Sequence, residues 1–250
     1  MTQQCLTRSE NGLQNWVILV TGGGSGLGAA LCRRLASEGA TLVAADLSRK
    51  RAEDAAAGIV PTKGRCHPLE LDVTDAAATE SAIHSIVRQY GSLDVVINSA
   101  AIDVTEALDT LSVADWDRVL STNLRGPYLV SRYAVPHMKA AGAGHIVNIV
   151  STASKRAWPN AAAYHASKWG LLGLSHSMHA ELRPFGIKVS AIVAGGMRTP
   201  FLLDRFPDID PTTLQDPANV AEVIHFILTL PGETVVPEVM VLPIRETSWP

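Results

Sequence analysis

The sequence is poor in the features that would tie it to a membrane, to nucleic acid or to an oxidising compartment. Its 250 residues include three cysteines, Cys5, Cys32 and Cys66, an odd number with no CxxC spacing. That usage excludes a disulfide framework and suits a reducing compartment, where cysteine acts mainly as a small apolar filler. No apolar run approaches the roughly 18 residues of a membrane span. Residues 1–14 are polar and lack the apolar stretch of a signal peptide. Charge of one sign is also missing: 21 Lys and Arg stand against 24 Asp and Glu, a net −3, so nothing electrostatic attracts nucleic acid or a membrane surface. The eight histidines show no HExxH or other ligand spacing, and no metal is expected. No internal repeat, charged tail or long Gly/Ser linker divides the chain. The expectation is one cytoplasmic domain over residues 15–250, preceded by loosely held residues 1–14.

What is present is a core-forming composition, 47% hydrophobic, enough for a single domain without disulfides or structural metal. Short β-branched runs alternate with longer helical patterns. The run WVILVT at 16–21, followed by glycines, predicts a strand buried on both faces of a parallel sheet. Further strands are predicted at 41–45, 64–71, 95–97, 145–150, 187–193 and 235–242. Helices are predicted at 27–38, 48–58, 76–90, 161–183 and 218–230, with one or two more over 112–140. Pro237 places the last strand at a sheet edge. Such alternation implies an α/β fold, a doubly wound parallel sheet of six to seven strands with right-handed crossovers and helices on both faces. Ligands of such sheets bind at the carboxyl ends of the strands.

Residues 21–28 read TGGGSGLG, between the first strand and the first helix. Glycines there let the backbone turn tightly and approach a pyrophosphate, while the helix N-terminus offers free N–H groups. The strand–turn–helix context separates this from an ordinary glycine turn. Asp46 ends the second strand 18 residues past Gly28. A carboxylate there accepts from an adenosine 2′-OH and repels a 2′-phosphate, which favours NAD over NADP. The competing reading makes Asp46 the cap of the helix at 48–58. Arg49 is close enough to soften the preference.

Tyr164 and Lys168 stand four residues apart on the helix predicted at 161–183 and therefore share a face. A free phenol ionises near pH 10, and a neighbouring cation lowers that value. Tyr164 could then take a proton from an alcohol or return it to a carbonyl. Ser151 follows the strand at 145–150, where its hydroxyl could hold the substrate oxygen or simply cap a turn.

Taken together these residues resemble the compact form of the short-chain dehydrogenase/reductase family, from about Trp16 to Leu242. TGGGSGLG is similar to its TGxxxGxG turn and makes the fold Rossmann-like, with Gly22, Ser25, Gly26, Leu27 and Gly28 on the cofactor. Asp46 and Leu47 would meet the adenosine ribose, and Asp72 and Val73 the adenine. Asn98-Ser99-Ala100-Ala101 resembles the NNAG segment, so Asn98 and Ala100 are expected at the cofactor. Asn123 resembles the helix-kinking asparagine that holds a relay water. Ser151, Tyr164 and Lys168 follow the family's order and spacing: substrate oxygen, acid/base, and nicotinamide ribose. Met197 and Thr199 would meet the carboxamide. Asn123, Ser151, Tyr164 and Lys168 are thus the catalytic candidates. Ser99, Ala101 and Ala194 depart from the family pattern, and residues 235–250 lack its usual DGG ending.

The resemblance implies an NAD-dependent enzyme interconverting a secondary alcohol and a ketone, assembled as a homodimer or homotetramer. The alternatives are a 3-oxoacyl thioester or general carbonyl reductase, and a non-catalytic dinucleotide sensor. Trp158, Met197, Phe201, Leu202 and Leu203 are read either as an apolar substrate wall or as core. The proline-punctuated segment 200–217 is positioned as a lid.

Overall fold

A computed structural model describes residues 12–59 and 64–246. Seven strands, β1 (Val17–Thr21), β2 (Thr41–Asp46), β3 (Arg65–Glu70), β4 (Val95–Asn98), β5 (Gly144–Ile149), β6 (Ile187–Ala194) and β7 (Glu238–Val241), form one sheet in the order β3-β2-β1-β4-β5-β6-β7. Every pairing is parallel. Eight helices cross between them: α1 (Gly26–Ala36), α2 (Arg49–Ala57), α3 (Ala76–Tyr90), α4 (Val113–Leu120), α5 (Gly126–Ala141), α6 (Ala162–Leu182), α7 (Pro200–Leu203) and α8 (Pro217–Thr229).

The apolar run of β1 is buried along its whole length because it feeds two cores. Ile18 and Val20 pack with Leu31, Leu35 and Ile224 on the α1/α8 side. Val17 and Leu19 pack with Ile83, Ile86 and Met138 on the α3/α5 side. Each fully enclosed aliphatic side chain contributes about 1.5–3 kcal/mol of transfer free energy. Strand order reverses direction beside β1, whose neighbours are β2 and β4, and the carboxyl ends of β1 and β4 open there into a crevice.

Several expected boundaries shift for identifiable reasons. Of the expected loose segment 1–14, residues 1–11 lie outside the described residues. Leu13 is fully buried in the α1-side core, and Asn15 N donates to the Gly39 carbonyl, so this part of the segment is packed. The helical stretch at 112–140 resolves into α4 and α5 joined by a π turn, Ser121–Arg125. Pro127 has no N–H to give the Asn123 carbonyl, so the ordinary ladder cannot pass that point. Within segment 200–217, Pro200 starts the short helix α7, its fixed φ suiting a first helical position. Pro68 is accommodated in β3 because that strand is an edge of the sheet.

One buried polar pair ties β5 to β6. Ser190 Oγ donates to the Val236 carbonyl, so it accepts from His145 Nε2, 2.9 Å away, and His145 is held as the neutral imidazole. Burial, with the Lys188 ammonium adding to it, pushes His145 from 6.5 down to about 3. The folded state therefore binds fewer protons than the unfolded chain between those values, and stability is lost as pH falls below 6.5. From about pH 7.5 to about pH 4.5 this one group should remove roughly 2.5 kcal/mol. Urea unfolding of wild type and His145→Gln at both pH values checks it: the variant should lose less stability on acidification, and equal losses would refute the assignment.

Candidate active site

A cleft of about 800 Å³ opens over the carboxyl ends of β1, β4, β5 and β6. Its floor is the glycine turn. Gly22 has φ +65° and lies so near the next strand that a Cβ there would sit 2.9 Å from the Ala100 Cα. A Cβ on Gly28 would sit 2.0 Å from the Gly22 carbonyl oxygen, so α1 can start this close to β1 only with glycine at that position. Thr21 fixes the other side: its Oγ1 accepts from the Ser99 and Ala100 amides, 3.1 and 3.2 Å away. The N-terminus of α1 consequently points into the cleft. Ser25, its N-cap, makes no side-chain capping bond, and the first turn holds no acidic residue. The first amides of a helix have no partner within it. The cradle therefore offers uncompensated N–H groups and the positive helix end, which fits a pyrophosphate.

Asp46 closes one end of the cleft. Its Oδ2 accepts from the Gly24 amide, and its Oδ1 accepts from Ser48 N and from Arg51 Nε and Nη2 at 3.1 and 2.9 Å. Asp46 is 5% exposed. The true cap of α2 is Ser48, whose hydroxyl accepts from Arg51 N. The cation beside Asp46 is Arg51, not the expected Arg49, which pairs with Glu53 on the outer surface. Arg51, at the third position of α2, reaches back across one turn, and Leu47 lines the same end. Asp72 and Val73 line the neighbouring wall, with Asp72 Oδ1 accepting from the Thr74 amide and hydroxyl.

Ser151, Tyr164 and Lys168 converge at the opposite end. Ser151 follows β5, and its hydroxyl is hydrogen bonded to the Tyr164 phenol while also accepting from Ala153 N at 3.2 Å. It is both a turn cap and a phenol partner. Lys168, one turn along α6 from Tyr164, donates from Nζ to the Ile149 carbonyl at 2.9 Å. Met197 and Thr199 lie on the facing wall, with Thr199 packed against Gly26.

A family model, short chain dehydrogenase, matches residues 16–210. The chain belongs to the short-chain dehydrogenase/reductase family. Cyclopentanol dehydrogenase of Comamonas testosteroni is 34% identical over 86% of this chain and 88% of its own. Two crystal structures superpose closely. NAD+-bound xylitol dehydrogenase gives TM-score 0.86 at 26% identity, covering 92% of this chain and 99% of the other. A metagenomic short-chain oxidoreductase in complex with NADP gives 0.83 at 31% identity, covering 93% and 98%. The protein is thus an oxidoreductase with the nicotinamide-dinucleotide-binding fold of this family, and the cleft's cradle fits that group.

Within this family frame, the surroundings of the phenol act in opposite directions. Lys168 together with an oxidised nicotinamide is expected to lower the Tyr164 pKa. The protein groups by themselves push the phenol up to about 12, chiefly through burial; the Ser151 hydrogen bond works against that rise and the Asp103 carboxylate adds to it. Burial also brings Lys168 down to about 8, with Asp103 opposing. Desolvation dominates both shifts because the two residues are nearly enclosed, 7% and 3% exposed; Nζ stands 5.6 Å from the phenol ring centroid.

Two expected site residues do not face the cleft. Asn98 turns its amide into the sheet, donating to Asn148 Oδ1 and Ser131 Oγ. Asn123 clamps the main chain of Ile102 through both amide atoms and donates to Ser167 Oγ. Of the apolar candidates, Trp158, Met197, Phe201 and Leu202 line the cleft and Leu203 does not. His165 orients Trp158: its Nε2 accepts from Trp158 N, its Nδ1 donates to the Ala153 carbonyl, and the two rings meet edge-on at 4.3 Å. Sequence reasoning missed Arg51, Asp103 and Arg205. The i to i+5 spacing of Asp46 and Arg51 across a helix start was a usable signal. Nothing local links Asp103 to Arg205, 102 residues apart.

Proposed function

We propose that this enzyme is an NAD-preferring dehydrogenase that interconverts an uncharged, largely apolar secondary alcohol and its ketone, with Tyr164 as acid/base. The observation carrying this reading is the convergence of Ser151, Tyr164 and Lys168 at one end of a cleft whose other end is a pyrophosphate cradle. The nicotinamide ring supplies the hydride acceptor or donor when bound. The chain's own residues manage the proton and the fit. Ser151 holds the substrate oxygen, and Tyr164 removes the hydroxyl proton in oxidation or returns it to the carbonyl in reduction. Lys168 keeps a cation beside the phenol and holds the ribose. Asn123 locks the loop at Ile102 to α6 through Ser167, which fixes the Lys168 helix against the cleft. Trp158, Met197, Phe201 and Leu202 supply an apolar wall and exclude water. A cytoplasmic setting accords with the free thiols Cys32 and Cys66.

NADH absorbance with a panel of secondary alcohols tests this. Tyr164→Phe should lower kcat at least about a hundredfold while NADH binding, read by fluorescence, stays within a few-fold. In oxidation the phenol must lose its proton, and burial raises its pKa, so the wild-type oxidation rate should climb as pH rises through neutrality. The reduction rate, which needs the protonated phenol, should not climb. Turnover retained in Tyr164→Phe sinks the reading.

Preference for NAD rests on Asp46, whose carboxylate would repel a 2′-phosphate, and is tempered by the half-exposed Arg51 guanidinium. Asp46→Ser should shift the NADP-to-NAD ratio of kcat/KM toward NADP by roughly a hundredfold, and Arg51→Gln should sharpen the preference for NAD. An unchanged ratio in both variants contradicts it.

Homodimer or homotetramer assembly is supported by large aromatic side chains left in solvent on α5 (Tyr128, 45% exposed), α6 (Trp169, 52%) and α8 (Phe226, 59%). Light scattering at micromolar concentration should return two or four chain masses; a monomer mass overturns this.

A further inference from the structure

At the substrate end of the cleft an arginine and an aspartate form an ion pair that the reaction above does not use. Arg205 Nη1 lies 2.8 Å from Asp103 Oδ2, and the two side chains are 22% and 2% exposed. Arg205 sits in segment 200–217, just past α7. That segment is fastened at its base where Arg198 N donates to the Gln215 carbonyl and Gln215 N to the Gly196 carbonyl. Asp103 sits in the loop after β4. The guanidinium carbon lies 4.9 Å from the Phe201 ring centroid and 4.8 Å from that of Phe206, and Phe201 in turn stands 5.9 Å from the Tyr164 ring. Arg205 lines the cleft; Asp103 does not line it and stands behind.

We propose that Asp103 is a specificity-determining positioning residue: by neutralising Arg205 inside the pocket wall, it makes the site accept uncharged alcohols and ketones and reject those that present a carboxylate to that wall, on the side away from the reacting carbon. The proposal deepens the function proposed above and rests on it.

The chemistry runs as follows. An arginine on the wall of a partly desolvated pocket is ordinarily the side chain best suited to a carboxylate, which it binds through paired N–H groups. Here one of its terminal nitrogens is already engaged by a carboxylate of the chain's own. A substrate carboxylate approaching the guanidinium would be drawn by Arg205 and repelled by Asp103 behind it, so much of the attraction that offsets its lost water would be cancelled. The other charged and titratable groups near Asp103 are His165, Lys168 and the Tyr164 phenol, all on α6. Lys168 is the remaining cation there, and its Nζ donates to the Ile149 carbonyl.

The pair is also incompletely matched. Asp103 Oδ1 and Arg205 Nε are buried and have no hydrogen-bond partner among the described residues, although a two-armed pair would satisfy both. The rings of Phe201 and Phe206 hold the guanidinium in this one-armed position. With the carboxylate's charge removed, the same rings would keep Arg205 in place as a cation free to accept an anion.

The test compares two compounds that differ by one charge, 4-hydroxycyclohexanecarboxylate and its methyl ester, in wild type, Asp103→Asn, Arg205→Gln and the double variant. Where they turn over, the acid-to-ester ratio of kcat/KM should rise at least roughly tenfold in Asp103→Asn, fall in Arg205→Gln, and return towards wild type in the double variant. Calorimetric binding of cyclohexanecarboxylate gives a readout without turnover: saturable binding in Asp103→Asn, and none in wild type or the double variant. If Asp103→Asn fails to fold, the fall of the ratio in Arg205→Gln, or its absence, decides. A wild type that prefers the acid, a ratio that moves the same way in both single variants, or no gain of anion binding in folded Asp103→Asn would overturn the proposal. If no alcohol turns over with either dinucleotide, the function proposed above fails, and the binding comparison still judges this one.

Discussion

The contact on which the rest of the structure depends is that of Gly28 with the Gly22 carbonyl. A side chain at position 28 would need the space that oxygen occupies, so α1 starts close against the end of β1 only because the residue is glycine. That closeness points an uncapped helix N-terminus into the crevice beside β1, and the strand order then brings β4, β5 and β6 to the same rim. Each carboxyl end delivers one part of the site. Thr21 ties β1 to the chain after β4, Ser151 follows β5, and the turn after β6 carries Met197 and Thr199 to face them. The sheet works as a frame that sets the separation between cradle and phenol.

Enclosure then sets the chemistry of the phenol. Loss of water pushes Tyr164 up and Lys168 down, so enclosure by the protein alone disfavours the charged form of each. Spacing along a helix reports shared direction; it does not report how much water remains around the two groups, and that burial is the largest influence on both.

The same distinction explains what was legible in the sequence. The central strands were legible because burial on both faces leaves continuous apolar runs such as β1, and the helices because apolar residues recur at helical spacing between them. The glycine turn was legible because its residues are contiguous. Asn98 and Asn123 were legible as polar residues at special positions, but not in their orientation: whether a buried amide turns to the cleft or into the sheet depends on partners such as Asn148, Ser131 and Ser167, which lie 33 to 50 residues away. The π turn needed Pro127 to be considered together with the ladder it interrupts. Asp103 and Arg205 lay wholly outside sequence reasoning, since only the folded sheet brings the loop after β4 against segment 200–217.

Both ends of the cleft carry an aspartate–arginine pair, and the difference in exposure separates what each pair does. At the adenosine end Asp46 is 5% exposed, but Arg51 is 56% exposed, so water screens the guanidinium and leaves it free to swing away. Such a pair is weakly held and can rearrange at little cost. At the substrate end the Arg205 side chain is 22% exposed and lies against the Phe201 and Phe206 rings, and the Asp103 side chain is 2% exposed, so little screening intervenes. Charges in that setting interact several times more strongly than across water. Asp46 and Arg51 are therefore suited to the graded cofactor preference proposed above, whereas Asp103 and Arg205 form a weakly screened pair in the cleft wall, the setting that the proposed exclusion of carboxylates requires.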